Sequence, residues 1–112
     1  MDTRSQLLTL DVWLDDELTI EHLKSIGDII RRELTVLSQT EHRFEPQGLT
    51  QAFILSESHF AVHTYPEEKY LSMDCYVCNP AIDLAKLASQ LLAELPVDQV
   101  KQSIVVRGVR PQ

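Results

Sequence analysis

The 112-residue chain has no run of about 18 apolar residues, so no segment has the length or greasiness of a membrane-spanning helix. Its opening residues, MDTRSQ, lack the basic and then apolar pattern of a secretory signal, which predicts a cytosolic protein. Cations are scarce: 10 Lys and Arg face 17 Asp and Glu, for a net charge of −7. Neutralising phosphates takes clustered Lys and Arg, so neither nucleic acid nor an anionic membrane is expected as a partner. A small cationic molecule would suit that balance, although acidity also serves solubility alone. There are only two cysteines, Cys75 and Cys78, and a cytosolic address keeps both reduced. No second Cys pair completes a four-ligand metal site, and on a strand period two sends these two side chains to opposite faces. Neither metal nor disulfide chemistry is therefore expected. Repeats, low-complexity stretches and linkers are missing, and no G-x-S-x-G elbow surrounds Ser58.

What is present is enough apolar material, 44% of residues, to build the core of one domain spanning residues 1–112. Leu7 to Trp13 alternates in part and suits a strand. Leu23, Ile26, Ile30, Leu34 and Leu37 recur at three- and four-residue steps, which predicts an amphipathic helix, with Asp15, Asp16 and Glu17 placed to favour its positive end. Ser38 to Phe44 reads as a second strand, ended by a turn at Pro46, Gln47 and Gly48. Three more strands follow, Thr50 to Ser56, His59 to Thr64 and Lys69 to Val77, with a Pro-containing turn before the last. Asn79 and Pro80 then cap a helix from Ile82 to Leu95, carrying an apolar stripe of Leu84, Leu87, Ala88, Leu91 and Leu95. Pro96 stops it, and Val100 to Val106 forms a final strand. The order predicts an α+β fold, a two-layer sandwich in which two helices pack on one face of an antiparallel sheet. The other face would be bare and open to a partner.

The chemistry-bearing residues cluster between Thr50 and Cys78, in TQAFILSESHFAVHTYPEEKYLSMDCYVC. Taken singly, most have plain explanations. His59 and His63 suit half-exposed strand positions, His22 and His42 are surface residues, and Ser58 is a turn serine. Taken together, Glu57-Ser58-His59, then His63-Thr64-Tyr65-Pro66-Glu67, then Cys78, preceded by His42-Arg43-Phe44-Glu45-Pro46-Gln47-Gly48, the pattern resembles the bacterial and archaeal S-adenosylmethionine decarboxylase family in residues and spacing. The resemblance is dense from His42 to Cys78 and thinner on both flanks.

That resemblance implies a proenzyme that cuts itself between Glu57 and Ser58. The Ser58 oxygen attacks the Glu57 carbonyl, the amide becomes an ester, and β-elimination followed by hydrolysis leaves a pyruvoyl group in place of the serine. This ketone is the cofactor, accepting the substrate amine as a Schiff base and acting as an electron sink during decarboxylation. It further implies that Cys78 returns the proton to carbon, His63 supports the elimination, the Thr50 hydroxyl assists cleavage, Phe44 stacks on adenine, and Glu67 lies near the substrate. The product would be the aminopropyl donor of polyamine synthesis. Departures from the pattern include Thr50 for Ser, Tyr65 for Trp, Asn79 for Gly after Cys78, and Gln6-Leu7-Leu8 in place of a His-Leu opening. They bear on the substrate more than on the pyruvoyl chemistry and leave room for ornithine or arginine on the same scaffold; a third reading, a non-cleaving paralogue that only binds or regulates, is opposed by the intact set of Glu57, Ser58, His63 and Cys78.

Hairpin geometry adds an independent constraint. If the strands flanking Ser58 form a tight hairpin, paired residue numbers sum to about 113 to 115, which sets His63 opposite or diagonal to Thr50. In the next hairpin Ser58 pairs near Cys75, which brings Cys78 to the Ser58 end. At about 3.3 Å per residue, His63 lies roughly 16 Å along the strand from Ser58, beyond direct proton transfer. Thr50 and His63 would therefore serve the Ser58 of another protomer, which predicts an obligate homodimer with active sites at its interface.

Overall fold

A computed structural model describes residues 3–112 of the chain. Met1 and Asp2, the first residues of the MDTRSQ segment that predicts no secretory signal, lie outside the described residues. The elements run β1 (Ser5–Leu14), α1 (Ile20–Glu33), β2 (Val36–Arg43), β3 (Leu49–Leu55), β4 (Ser58–Tyr65), a short 3-10 helix (Pro66–Glu68), β5 (Tyr70–Val77), α2 (Leu84–Leu92) and β6 (Val97–Arg107). The strands form one antiparallel sheet in the order β2-β3-β4-β5-β1-β6. The expected two-layer α+β sandwich is the architecture found.

Period-two alternation decides which face each strand buries. Leu8, Leu10, Val12 and Leu14 of β1, Phe53 and Leu55 of β3, Phe60 and Val62 of β4, and Leu71, Met73, Cys75 and Val77 of β5 all turn toward the helices. There they meet Ile26, Ile29, Ile30 and Leu34 of the α1 segment and Leu84, Leu87, Ala88 and Leu91 of α2. Each large side chain fully withdrawn from water contributes about 1.5–3 kcal/mol, so this layer holds the fold. Phe53 and Phe60, directly paired across β3 and β4, meet edge to face at 6.2 Å at its centre. The opposite face carries the odd residues of β1 and β4 and the even residues of β3 and β5, and apart from the buried Ser5 it stays largely half-exposed.

Three local expectations are corrected. The helical stripe ends short of Leu37: α1 stops at Glu33, and Leu37 lies on β2 with 65% of its surface exposed. The Ser56 N–H donates to the Thr35 carbonyl at 3.0 Å, drawing the chain into strand pairing where β-branched Thr35 and Val36 favour an extended backbone. At the start of α1, Asp15 to Glu17 precede the cap, leaving only Glu21 in the first turn. The cap is Thr19, whose side chain accepts from the His22 N–H at 3.2 Å while His22 Nδ1 accepts from the Thr19 N–H at 2.9 Å. His22 thus fills the position that Glu or Gln usually holds in a capping box. Finally, α2 begins at Leu84, with Asp83 as its cap accepting from the Lys86 N–H. Asn79 instead accepts from the Ala81 N–H and shapes the turn ahead of the helix.

Two turns place the residues of interest. Between β2 and β3 the Phe44 N–H donates to the Gly48 carbonyl at 2.9 Å, and Gly48 has φ +108, a backbone conformation that a Cβ would strain. This tight loop holds Phe44 at its mouth. Between β4 and β5 the 3-10 turn closes with Lys69 left-handed at φ 49, so pairing begins at Tyr65 and Tyr70.

Candidate active site

The tip of the β3–β4 hairpin is Ser56 and Glu57, with Leu55 paired to Ser58. Ser58 has φ +154, a region that L residues rarely adopt and that costs about 1–3 kcal/mol for a side chain with a Cβ. Such strain persists only where the surroundings over-determine it, and here the preceding carbonyl is gripped. The Glu57 carbonyl oxygen accepts from the Cys78 backbone N–H at 3.3 Å and from Cys78 Sγ–H at 3.1 Å. Ser58 itself pairs with Val77, two residues beyond the expected neighbour Cys75. The tight 3-10 turn at Pro66–Glu68 sets that register and brings Cys78 beside Glu57. Glu57 Oε2 is buried with no hydrogen-bond partner among the described residues.

The two cysteines have separate fates. Cys75 is buried, and its thiol is pushed up to about 12 by burial first and by the Asp74 and Glu57 charges second. Cys78 is exposed just past the end of β5 and lines a cavity of about 280 Å³ with Arg4, Ser5, Gln6 and Asn79 among its walls.

A second cluster lies at the far end of the same hairpin. The paired residue numbers sum to 113 throughout, as in Thr50 with His63, and Thr50 Oγ1 lies 3.0 Å from His63 Nδ1. These two share a cavity of about 410 Å³ with Phe44, Tyr65 and Glu67. Phe44 is half-exposed and meets the His42 ring edge-on at 4.6 Å. The Gln47 Nε2 group donates to Glu67 Oε2 at 3.2 Å and so fixes that carboxylate at the rim. The buried Thr64 hydroxyl accepts from the Leu49 N–H at 3.0 Å, locking β3 and β4 in register beneath the cavity.

The seven singled-out residues therefore fall into two groups: Glu57, Ser58 and Cys78 at one end of β4, and Phe44, Thr50, His63 and Glu67 at the other. Five residues of extended chain separate them, about 16 Å. The half-exposed face also carries two side-chain pairs that join distant strands, Tyr70 with Asp11 beside the second group and His59 with Asp74 next to the first. Tyr70 donates to Asp11 Oδ1 at 2.6 Å, and burial followed by that carboxylate pushes the phenol up to about 12. His59 Nε2 lies 3.2 Å from Asp74 Oδ1. Asp11 and Asp74 occupy polar positions of alternating strands, and only the sheet order shows which aromatic or imidazole each one meets.

Comparison with known proteins places this arrangement among relatives. The family model described as S-adenosylmethionine decarboxylase matches residues 8–108. A Clostridium botulinum (Loch Maree) protein named S-adenosylmethionine decarboxylase proenzyme is 33% identical over 92 residues, covering 82% of this chain and 78% of its own length. A protein of the same name from Shouchella clausii is 30% identical over 116 residues, covering 99% and 90%. In fold, the crystal structure of the adenosylmethionine decarboxylase from Aquifex aeolicus superimposes with a TM-score of 0.81 over 100% of this chain and 97% of that one, at 20% sequence identity. On the extent of the family match and the identity of these relatives, the chain belongs to the S-adenosylmethionine decarboxylase family.

Proposed function

We propose that the chain, one domain spanning residues 1–112, is a self-processing decarboxylase of S-adenosylmethionine that supplies the aminopropyl donor for spermidine and other polyamines. The observation that carries this reading is the peptide between Glu57 and Ser58: a carbonyl held by two donors, followed by a serine at φ +154. Attack by Ser58 Oγ turns that carbonyl tetrahedral and puts negative charge on its oxygen. The Cys78 N–H and Sγ–H already point there, as donors of an oxyanion site do. Collapse breaks the C–N bond and leaves an ester. Loss of a proton from Ser58 Cα then expels the Glu57 carboxylate, and hydrolysis of the resulting dehydroalanine releases ammonia. The residues fit a pyruvoyl group at position 58, since they supply both a strained serine and a polarised carbonyl before it.

When in place, that ketone supplies an electron sink for the charge left on the substrate carbon after carbon dioxide departs. The chain's own residues do the rest. Cys78, next to position 58, holds the proton to be returned to carbon. Phe44 offers an aromatic face to adenine, and Glu67, steadied by Gln47, offers a carboxylate to a cationic substrate. His63, with its ring positioned by the Thr50 hydroxyl, serves the elimination. Because Thr50 and His63 lie at the wrong end of β4 for their own Ser58, two protomers combine in antiparallel fashion, each completing the other's site. The half-exposed sheet face offers the surface for that homodimer. A cytoplasmic setting keeps Cys78 a thiol. The reported relatives are named for S-adenosylmethionine, so ornithine and arginine gain no support as substrates, nor does a role without cleavage.

Intact mass under denaturing conditions tests the reading. Two fragments are expected, residues 1–57 and a remainder blocked at its N-terminus by a ketone, with carbon dioxide released from S-adenosylmethionine and not from ornithine or arginine. A single chain of 12.8 kDa that persists through long incubation would overturn it.

A further inference from the structure

The strained backbone at Ser58 is gripped on its Glu57 side by Cys78, and the structure shows an equally specific grip on the other side. His59, the next residue, sends its imidazole over the half-exposed face, where Nε2 lies 3.2 Å from Asp74 Oδ1. Asp74 is not the residue opposite His59 on β5. It faces Ala61, two positions along, so the contact runs diagonally across the strand pair. A diagonal reach of this kind needs a small side chain in the gap, and Ala61 provides one. Tyr76, the residue opposite His59, closes the other side with ring centroids 5.9 Å apart. Tyr76 is itself tied down: its hydroxyl lies 2.9 Å from Ser5 Oγ on β1, and the Arg107 guanidinium of β6 covers its ring at 5.3 Å. Four strands are thus linked by side chains beneath the peptide that is to be cut.

Resting on the self-processing reading above, we infer that His59 and Asp74 are positioning residues for the cut: by fixing the first residue after Ser58 to β5, they hold the serine in its strained conformation against relaxation. Neither group touches the reacting atoms. The pair acts through the backbone, as the second jaw of a clamp whose first jaw is the Cys78 contact to the Glu57 carbonyl. A conformation as unfavourable as φ +154 needs restraint on both flanks, because freedom on either side lets the strain escape by rotation.

The test follows the cutting rate of freshly synthesised protein by intact mass, at a temperature where circular dichroism shows every variant folded, with oligomeric state read by sedimentation. His59→Ala and Asp74→Ala are each expected to slow cutting roughly three- to tenfold, the scale of one partly exposed charge-assisted hydrogen bond. The double variant should be no slower than either single one, since the two act as a unit. Asp74→Asn keeps the acceptor oxygen and should recover most of the rate. Lys24→Ala, which removes an exposed 3.4 Å ion pair to Asp28 on α1, away from that sheet face, should cut at the wild-type rate. Wild-type cutting in both single variants overturns the inference, as does multiplicative slowing in the double variant. Slow cutting accompanied by loss of the dimer also overturns it, because the pair would then act through assembly. If the wild-type chain never cuts, the decarboxylase reading fails as well; if only the variants behave like wild type, this inference fails alone.

Discussion

Removing the thiol of Cys78 separates the two roles proposed for that side chain. In Cys78→Ala the Glu57 carbonyl keeps the backbone N–H at 3.3 Å and loses the Sγ–H at 3.1 Å. A strong oxyanion donor is worth 10²–10³ in rate, but a thiol is a weak donor, so the expected slowing of the cut is about tenfold, or about 1.4 kcal/mol. The chain still divides, because the backbone donor and the Ser58 strain remain. Turnover should suffer more. A positioned acid contributes about 10²–10⁴, so carbon dioxide release per cut chain should fall at least a hundredfold. The assay follows cutting by intact mass over hours and then measures release from protein that has been allowed to cut fully. Normal turnover by fully cut Cys78→Ala would remove Cys78 from the proton-donor role. Complete failure to cut would refute the division of labour between Sγ and the backbone N–H.

Other outcomes test the remaining links. Ser58→Gly and Ser58→Ala should both stay uncut, but glycine accepts φ +154, so the Gly variant should be more stable in urea by about 1 kcal/mol after its own entropic cost; equal stability would mean the serine is unstrained. Co-expressed His63→Ala and Cys78→Ala chains should regain activity near one quarter of wild type, because about half the dimers are mixed and each mixed dimer has one intact site of two; no recovery would place His63 and Cys78 in the same protomer's site. Thr50→Ala, which strips His63 Nδ1 of its 3.0 Å partner, should slow cutting about tenfold while Thr50→Ser cuts normally; equal rates in the two variants would show that the hydroxyl plays no part. Burial raises the Cys75 thiol from 9.0 to about 12 in the folded protein. Stability from Cys75 is therefore complete below the unfolded thiol's value and is lost as pH climbs from there toward about 12, at up to about 1.4 kcal/mol per pH unit. Urea melts of wild type and Cys75→Ala between pH 8 and pH 11 should show a flatter pH dependence in the variant, and parallel curves would exclude Cys75 as the source.

Much of this molecule follows from the order of its residues. Alternation in LLTLDVW and YLSMDCYV and the short apolar run AFIL declare strands, and Ile26, Ile30 and Leu34 declare a helix, because side-chain period is a local property of the backbone. The pairing of Thr50 with His63 was also legible, since a two-residue hairpin leaves its strands almost no freedom of register. Helix ends were less so: Thr19 with His22 and Asp83 with Lys86 are short-range bonds that compete with equally plausible caps nearby, and the pull of Ser56 on Thr35 comes from another strand.

Only the folded chain decided what lies beside what across distance in sequence. No periodicity announces that β1 lies between β5 and β6, because non-local pairing is settled by the whole sheet burying one face against two helices at once. That choice brings Ser5 and Arg107 to Tyr76, and Tyr70 to Asp11. Likewise, the spacing from Ser58 to Cys78 brings the two near each other, but a two-residue difference in the β4–β5 register determines whether the thiol reaches the Glu57 carbonyl. Residue type and local period are written in the chain, whereas the alignment of a donor to within a few tenths of an ångström depends on packing contributed by every layer.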